Sequence, residues 1–288
     1  MPKLGFNLLA WTAAISGDFL PHVERLGKIG YDGVEICMGQ TDSAIYQRFG
    51  THLRDLGLGV TCVTVLGADA NPISADPAVR AKAIDILKWN IDRTVDVGAN
   101  LLGGPFHSAF ATFTRAEPKP EEYQRSAEVL RAAGDYAQQA GVTIAPEALN
   151  RFECYLCNTM VQLRNLIDLT DHPHVRAMFD THHANIEEKR SAEAIRTIAP
   201  VLAHVHLSEN DRGTPGRGHI NFQETLNTLA SVNYEGWLIV EGFSRADPAF
   251  ANSINVWREF SPAWEIAEQG HAFLRDTIAE AGFANGPA

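Results

Sequence analysis

Basic residues are scarce and scattered: 24 Lys and Arg stand against 35 Asp and Glu, a formal net charge of -11, and they form no run. An acidic chain without a basic stripe lacks the electrostatic footprint of a nucleic-acid or anionic-membrane binder, and neither is expected as a partner. Cysteine is equally thin. Cys37, Cys62, Cys154 and Cys157 are too few, in 288 residues, for the disulfide framework of a small secreted protein. Cys154-Tyr155-Leu156-Cys157 fits Cys-x-x-Cys in form only. It has no second pair and no strand-to-helix setting, so it reads as two thiols near a pocket. Long hydrophobic runs are absent as well. The stretch from Leu4 to Trp11 is broken by Asn7 and is too short and polar for a signal peptide or membrane span, which makes a cytoplasmic location the default expectation. No Gly-x-Gly-x-x-Gly follows that first run, against a dinucleotide-binding open sheet. Without a linker, low-complexity stretch or charge block, one domain over 1–288 is expected.

What the chain does have is strict alternation. Short β-prone apolar runs predict strands over 4–8, 33–37, 59–65, 100–104, 142–147, 175–180, 201–207 and 236–241. Amphipathic segments predict helices over 19–29, 42–56, 76–97, 120–140, 159–169, 191–198, 221–231 and 263–281. Eight βα pairs in a chain of this length predict an α/β protein, a (βα)8 TIM barrel. One internal echo supports repeated βα units: Gly30-Tyr31-Asp32-Gly33-Val34-Glu35-Ile36 resembles Asn233-Tyr234-Glu235-Gly236-Trp237-Leu238-Ile239-Val240-Glu241. In both, a helix C-terminal turn feeds a strand that ends near a carboxylate.

Four consecutive runs end in a metal-binding side chain: Glu147, Asp180, His206 and Glu241. In a closed parallel barrel the C-terminal strand ends share one mouth, so these four would converge. Three carboxylates and an imidazole suit a hard divalent cation such as Mn²⁺, with positions left for substrate oxygens. A hydroxy-ketone bound there would have its α-proton acidified, and Glu147 and Glu241, from strands 5 and 8, would serve as opposed acid and base. Glu153, His183 and Arg212 follow the ligands at βα-loop positions, where a barrel keeps its substrate contacts. His107, at the end of strand 4, is a candidate pocket residue. His204 reads as a packed core histidine one layer deeper, and His172, His174 and His271 as solvated. The loop from Asp211 to Gly218 could cradle a phosphate or act as a lid.

The segments Glu147-Ala148-Leu149-Asn150-Arg151-Phe152-Glu153, Asp180-Thr181-His182-His183-Ala184-Asn185-Ile186-Glu187-Glu188, His204-Val205-His206-Leu207-Ser208-Glu209-Asn210-Asp211-Arg212 and Val256-Trp257-Arg258 resemble the ketohexose 3-epimerases, the D-tagatose and D-allulose 3-epimerase group. The resemblance implies a metal-dependent (βα)8 barrel that epimerises free ketoses at C3. It further implies Mn²⁺, with Co²⁺ or Mg²⁺ accepted, and assembly as a homodimer or homotetramer. By the same resemblance Glu147, Asp180, His206 and Glu241 hold the metal, and Glu147 and Glu241 double as the acid/base pair. Glu153, His183 and Arg212 would bind the C1–C3 end of the sugar, and Phe243 would line the rest of the pocket. The first βα loop departs from the pattern. Trp11 is present, but Ile15 stands where a second aromatic is usual and Asn7 where one can precede them. A shorter or differently configured ketose is therefore compatible with the chain.

Related chemistries in the wider superfamily are a keto-sugar (inosose-type) dehydratase and a sugar isomerase. A trinuclear-zinc nuclease would need an Asp-x-His pair after strand 7, where Arg217-Gly218-His219 stands instead. A non-catalytic sugar-binding barrel could keep a metal but would need no opposed carboxylates.

Overall fold

The computed structural model describes residues 2–39 and 42–283. Fraying expected beyond Gly282 falls on 284–288, outside that range. Eight parallel strands alternate with helices: β1 Lys3–Asn7, β2 Gly33–Cys37, β3 Gly59–Val63, β4 Leu101–Gly104, β5 Thr143–Pro146, β6 Ala177–Asp180, β7 Leu202–Leu207 and β8 Trp237–Val240. The outer helices are α1 Leu20–Ile29, α2 Ser43–Asp55, α3 Pro77–Val97, α4 Pro120–Ala140, α5 Met160–Thr170, α6 Thr181–Glu187, α7 Ser191–Ile198, α8 Phe222–Ser231, α9 Pro248–Ser253 and α10 Ala263–Glu280. The short α6 and α9 have no counterpart in the sequence reading, because six or seven residues are too few to show a helical period.

The sheet runs β5-β4-β3-β2-β1-β8-β7-β6. Its two edges meet through isolated bridges, Ile144 to Val175 and Glu147 to Met178, which bring the sheet to a nearly closed barrel. The expected TIM barrel is borne out. Local chemistry explains the element ends. Asp76 accepts from the Ala78 N–H and Pro77 opens α3, while Gly98 at φ +87° closes it in the left-handed region. The internal echo is real in the backbone: Gly30 and Asn233 both have positive φ before β2 and β8.

Packing also dictates residue size. The Trp237 indole fills the barrel floor, and a Cβ added at Gly33 or Gly59 would sit 2.7 or 2.6 Å from its ring atoms. At Gly50 helix α2 passes so close to the end of α3 that an added Cβ would stand 2.2 Å from the Val97 carbonyl oxygen. His172, expected in solvent, is tucked against the position of Gly134 with only 7% of its side chain exposed, and its Nε2 lies 3.3 Å from Asp135. Among the described residues no helix is long and apolar enough to cross a membrane.

Candidate active site at the barrel mouth

The C-terminal strand ends open into a cavity of about 790 Å³. Glu147 follows β5, Asp180 ends β6, His206 lies on β7 and Glu241 follows β8, and all four side chains are buried. Glu147, Asp180 and His206 each offer a ligand atom within 4.8 Å of the others'. Glu241 stands beside this cluster, its Oε2 3.3 Å from His206 Nδ1. It is drawn toward Arg212, whose Nη1 donates to Glu241 Oε2 at 2.6 Å, to Asp180 Oδ2 at 3.0 Å and to Ser208 Oγ at 2.9 Å. Arg212 Nη2 is 2.9 Å from His183 Nε2. Arg212 itself adopts φ +64°, a backbone conformation that costs energy for a non-glycine residue. Its N–H donates to Glu209 O at 3.1 Å and its carbonyl accepts from Phe243 N at 2.8 Å.

The electrostatics follow from burial and crowding. Burial, and then the neighbouring Asp180 and Glu241 carboxylates, push the Glu147 carboxyl well above the ordinary range in spite of His206. Burial also opposes ionisation of Asp180, but Arg212, His183 and His206 overcome it and hold that carboxyl well below its usual value. Burial pulls His206 down, and Glu35 and Glu241 more than reverse it. Burial and the adjacent Arg212 keep His183 well below an ordinary histidine, and therefore neutral. Burial raises Glu153 despite Arg212.

The donor set fits a divalent cation. Glu147 Oε1 and His206 Nδ1 are buried atoms without a hydrogen-bond partner, aimed into a cluster otherwise made of carboxylates. Such unpartnered buried polar atoms are rare in a protein interior and call for a ligand. Oxygen donors with one imidazole match a hard or borderline metal rather than a thiolate site.

The remaining expectations divide. Glu153, His183, Arg212 and Phe243 all line the cavity. Asn150 positions two of them: its Nδ2 is 3.0 Å from His183 Nδ1 and donates to Glu153 Oε1 at 3.2 Å. His107 does not reach the cavity. It is fully buried behind β5, its Nε2 3.7 Å from Cys154 Sγ, and its carbonyl accepts from Ser126 Oγ at 2.7 Å. Trp11 is also turned away. Asn7 caps a tight turn over Leu8–Ala10, which points Leu9 and Ala13 at the cavity and packs the indole on Trp264, with ring centroids 4.6 Å apart. Ile15 is core.

The 211–218 loop is committed to its own fold. Glu209 accepts from the Gly216 and Ile220 N–H groups, Asn210 Oδ1 from His219 N, and Ser261 Oγ from Thr214 N. Those N–H groups are taken, which removes the phosphate cradle considered from sequence. Cys154 and Cys157 are buried free thiols.

Sequence reasoning missed Glu35. Fully buried beneath the Glu147, Asp180 and His206 cluster, it contacts His204, His206, Thr61 and Asn7. The only signals were a carboxylate inside an apolar strand and the His204-x-His206 spacing.

Residues 23–277 match the family model described as the xylose isomerase-like TIM barrel. The chain is 32% identical to the D-psicose 3-epimerase of Ruminiclostridium cellulolyticum over 90% of each chain. It belongs to the ketose 3-epimerase family. The L-ribulose 3-epimerase of Mesorhizobium japonicum is 30% identical over 95% of this chain and 93% of its own. A solved L-ribulose 3-epimerase structure superposes with a TM-score of 0.92 at 30% identity, covering 98% of this chain and 96% of that one. These ketose 3-epimerases are isomerase-class enzymes, and the resemblance expected from the strand-end motifs is borne out.

Proposed function

We propose that this chain is a metal-dependent carbohydrate 3-epimerase acting on a free ketose, and that the convergence of Glu147, Asp180 and His206, with Glu241 alongside, is the observation that carries the reading. Glu147, Asp180, His206 and Glu241 would hold the metal, proposed as Mn²⁺ with Co²⁺ or Mg²⁺ as substitutes. The bound ion supplies Lewis-acid polarisation of the C2 carbonyl, which makes the C3 proton removable.

The chain's own residues do the rest. Glu147 takes the C3 proton as the C2–C3 bond gains double-bond character and the electron pair moves to the C2 oxygen. Glu241 returns a proton to the opposite face of C3, the C2 carbonyl re-forms, and the configuration at C3 is inverted. The reverse reaction exchanges the two roles. Arg212 and His183 present donors, and Glu153 an acceptor, to the oxygens at C1–C3. Phe243 bounds the sugar beyond them. We further propose a single domain over 1–288 working as a homodimer or homotetramer in the cytoplasm.

The deciding experiment is NMR of D-tagatose, D-fructose, L-ribulose and D-allulose with Mn²⁺-loaded protein in D₂O. Deuterium entering at C3 together with the C3 epimer is expected for at least one. A metal-loaded protein that exchanges C3 in none of them refutes the reading.

A further inference from the structure

Glu35 stands in mid β2, directly below the ligand cluster, and none of its surface is exposed. Its Oε1 accepts from Asn7 Nδ2 at 2.9 Å and lies 2.6 Å from His206 Nε2. Its Oε2 accepts from Thr61 Oγ1 at 2.8 Å and lies 2.6 Å from His204 Nε2. A charged carboxylate survives in a barrel core only when its lone pairs are met in this way, and the four partners come from β1, β3 and β7. The same Asn7 amide donates to Glu241 Oε1 at 3.1 Å.

The consequence falls on His206. One ring nitrogen faces Glu35. The other, Nδ1, faces Glu241 Oε2 at 3.3 Å and Asp180 Oδ2 at 3.7 Å and has no hydrogen-bond partner. An imidazole can ligate a cation only through a nitrogen free of its proton. A carboxylate on the far nitrogen selects that tautomer and fixes the plane of the ring. The His206 Nε2 contact with Glu35 is close, though off the axis of a well-aligned hydrogen bond.

We propose that Glu35 is the positioning residue of the site. It keeps the His206 proton on Nε2, aims Nδ1 at the cation shared with Glu147, Asp180 and Glu241, and through Asn7 restrains Glu241 in the same frame. This rests on the metal-dependent reading above. Thr61 and His204 complete the device by holding the other oxygen of Glu35.

The test is calorimetric titration of Mn²⁺ into metal-stripped full-length protein, for the wild type, Glu35→Gln and Glu35→Asp. Alongside it, ¹⁵N-histidine NMR of the Mg²⁺-loaded protein reads the His206 tautomer. Glu35→Gln keeps the shape and removes the charge, and its Kd for Mn²⁺ is expected to weaken by about 10- to 100-fold. Glu35→Asp retains the charge and should recover part of that loss. The wild-type spectrum, which needs no variant to fold, should show His206 protonated on Nε2 alone. An unchanged Mn²⁺ affinity in a folded Glu35→Gln protein, or a His206 proton on Nδ1 in the loaded wild type, overturns the proposal. Wild-type protein that binds no Mn²⁺ instead overturns the metal-dependent reading, and this proposal with it.

Discussion

Arg212 offers the sharpest quantitative test of how the site is balanced. Its Nη1 bridges Asp180 and Glu241 at 3.0 and 2.6 Å, and the residue is 7% exposed. Arg212→Met preserves much of the volume but strands two buried carboxylates. Breaking a buried pair from one side costs about 3–5 kcal/mol, because the surviving charge is left uncompensated. An unfolding entropy of about 2 cal/mol/K per residue gives about 0.6 kcal/mol/K for a chain of 288 residues. EDTA-treated Arg212→Met should therefore melt about 5–8 °C below the wild type near pH 7.5. Arg212 holds the Asp180 carboxyl below its unfolded value, so the stabilisation it provides is present above the unfolded carboxylate pKa and fades as pH falls. The gap between the two melts should narrow toward acid. Adding Mn²⁺ supplies a replacement positive charge, and free metal at about 100 times Kd stabilises by about 2.7 kcal/mol. Since Arg212 no longer competes for the carboxylates, the variant should gain more from Mn²⁺ than the wild type does. Equal melting temperatures in EDTA, or a larger Mn²⁺ gain in the wild type, would refute the charge-balance argument.

Glu147→Gln and Glu241→Gln should each lower C3 exchange by about 10²- to 10⁴-fold while the protein still folds, and near-normal exchange in either would sink the two-carboxylate mechanism. Burial lowers the folded pKa of His107 from 6.5 to about 4. Its contribution is complete above pH 6.5, shrinks as pH falls and is gone below about 4, a loss of about 3 kcal/mol that urea titrations at pH 7 and pH 4.5 should begin to resolve. His107→Gln should flatten that slope, and an equally steep slope in the variant would assign the pH dependence to other groups. Gly50→Ala would raise helix propensity by about 1 kcal/mol in an open helix. Here the new Cβ would stand 2.2 Å from the Val97 carbonyl oxygen, so the variant should lose about 1–3 kcal/mol, read by chemical denaturation.

The barrel and the convergence of Glu147, Asp180 and His206 at its mouth were legible because both are written locally: a run of apolar residues and the polar side chain that ends it. Closure then does the assembling, since parallel strands all end at one mouth. What failed to show depends on packing across the barrel. Glu35 and His204 meet across 169 positions of sequence, and a mid-strand carboxylate gives no sign of which histidines it will face. Trp11 misled because the tight turn after β1 rotates its side chain by a local device, the Asn7 cap, that apolar periodicity does not register. His107 misled because a strand-end position in a barrel can point to the layer between strands and helices as readily as to the mouth. Its neighbours Ser126, on α4, and Cys154 put it there.

The seam of the barrel bears on how metal binding at this mouth would register in the fold. Seven strand pairings are hydrogen-bonded ladders, one of them (β6 with β7) interrupted by a register shift between Ala177 and Met178, while β5 and β6 are joined only by the bridges at Ile144 and Glu147. Glu147 lies on one lip of that seam and Asp180 on the other. A cation gripping both would act as a clasp across the thinnest stitching in the sheet, and its loss would let those lips breathe first. Amide hydrogens of 143–145, 147 and 175–180 should then be the barrel amides whose exchange slows most on loading, which would make metal content readable as the tightness of one seam.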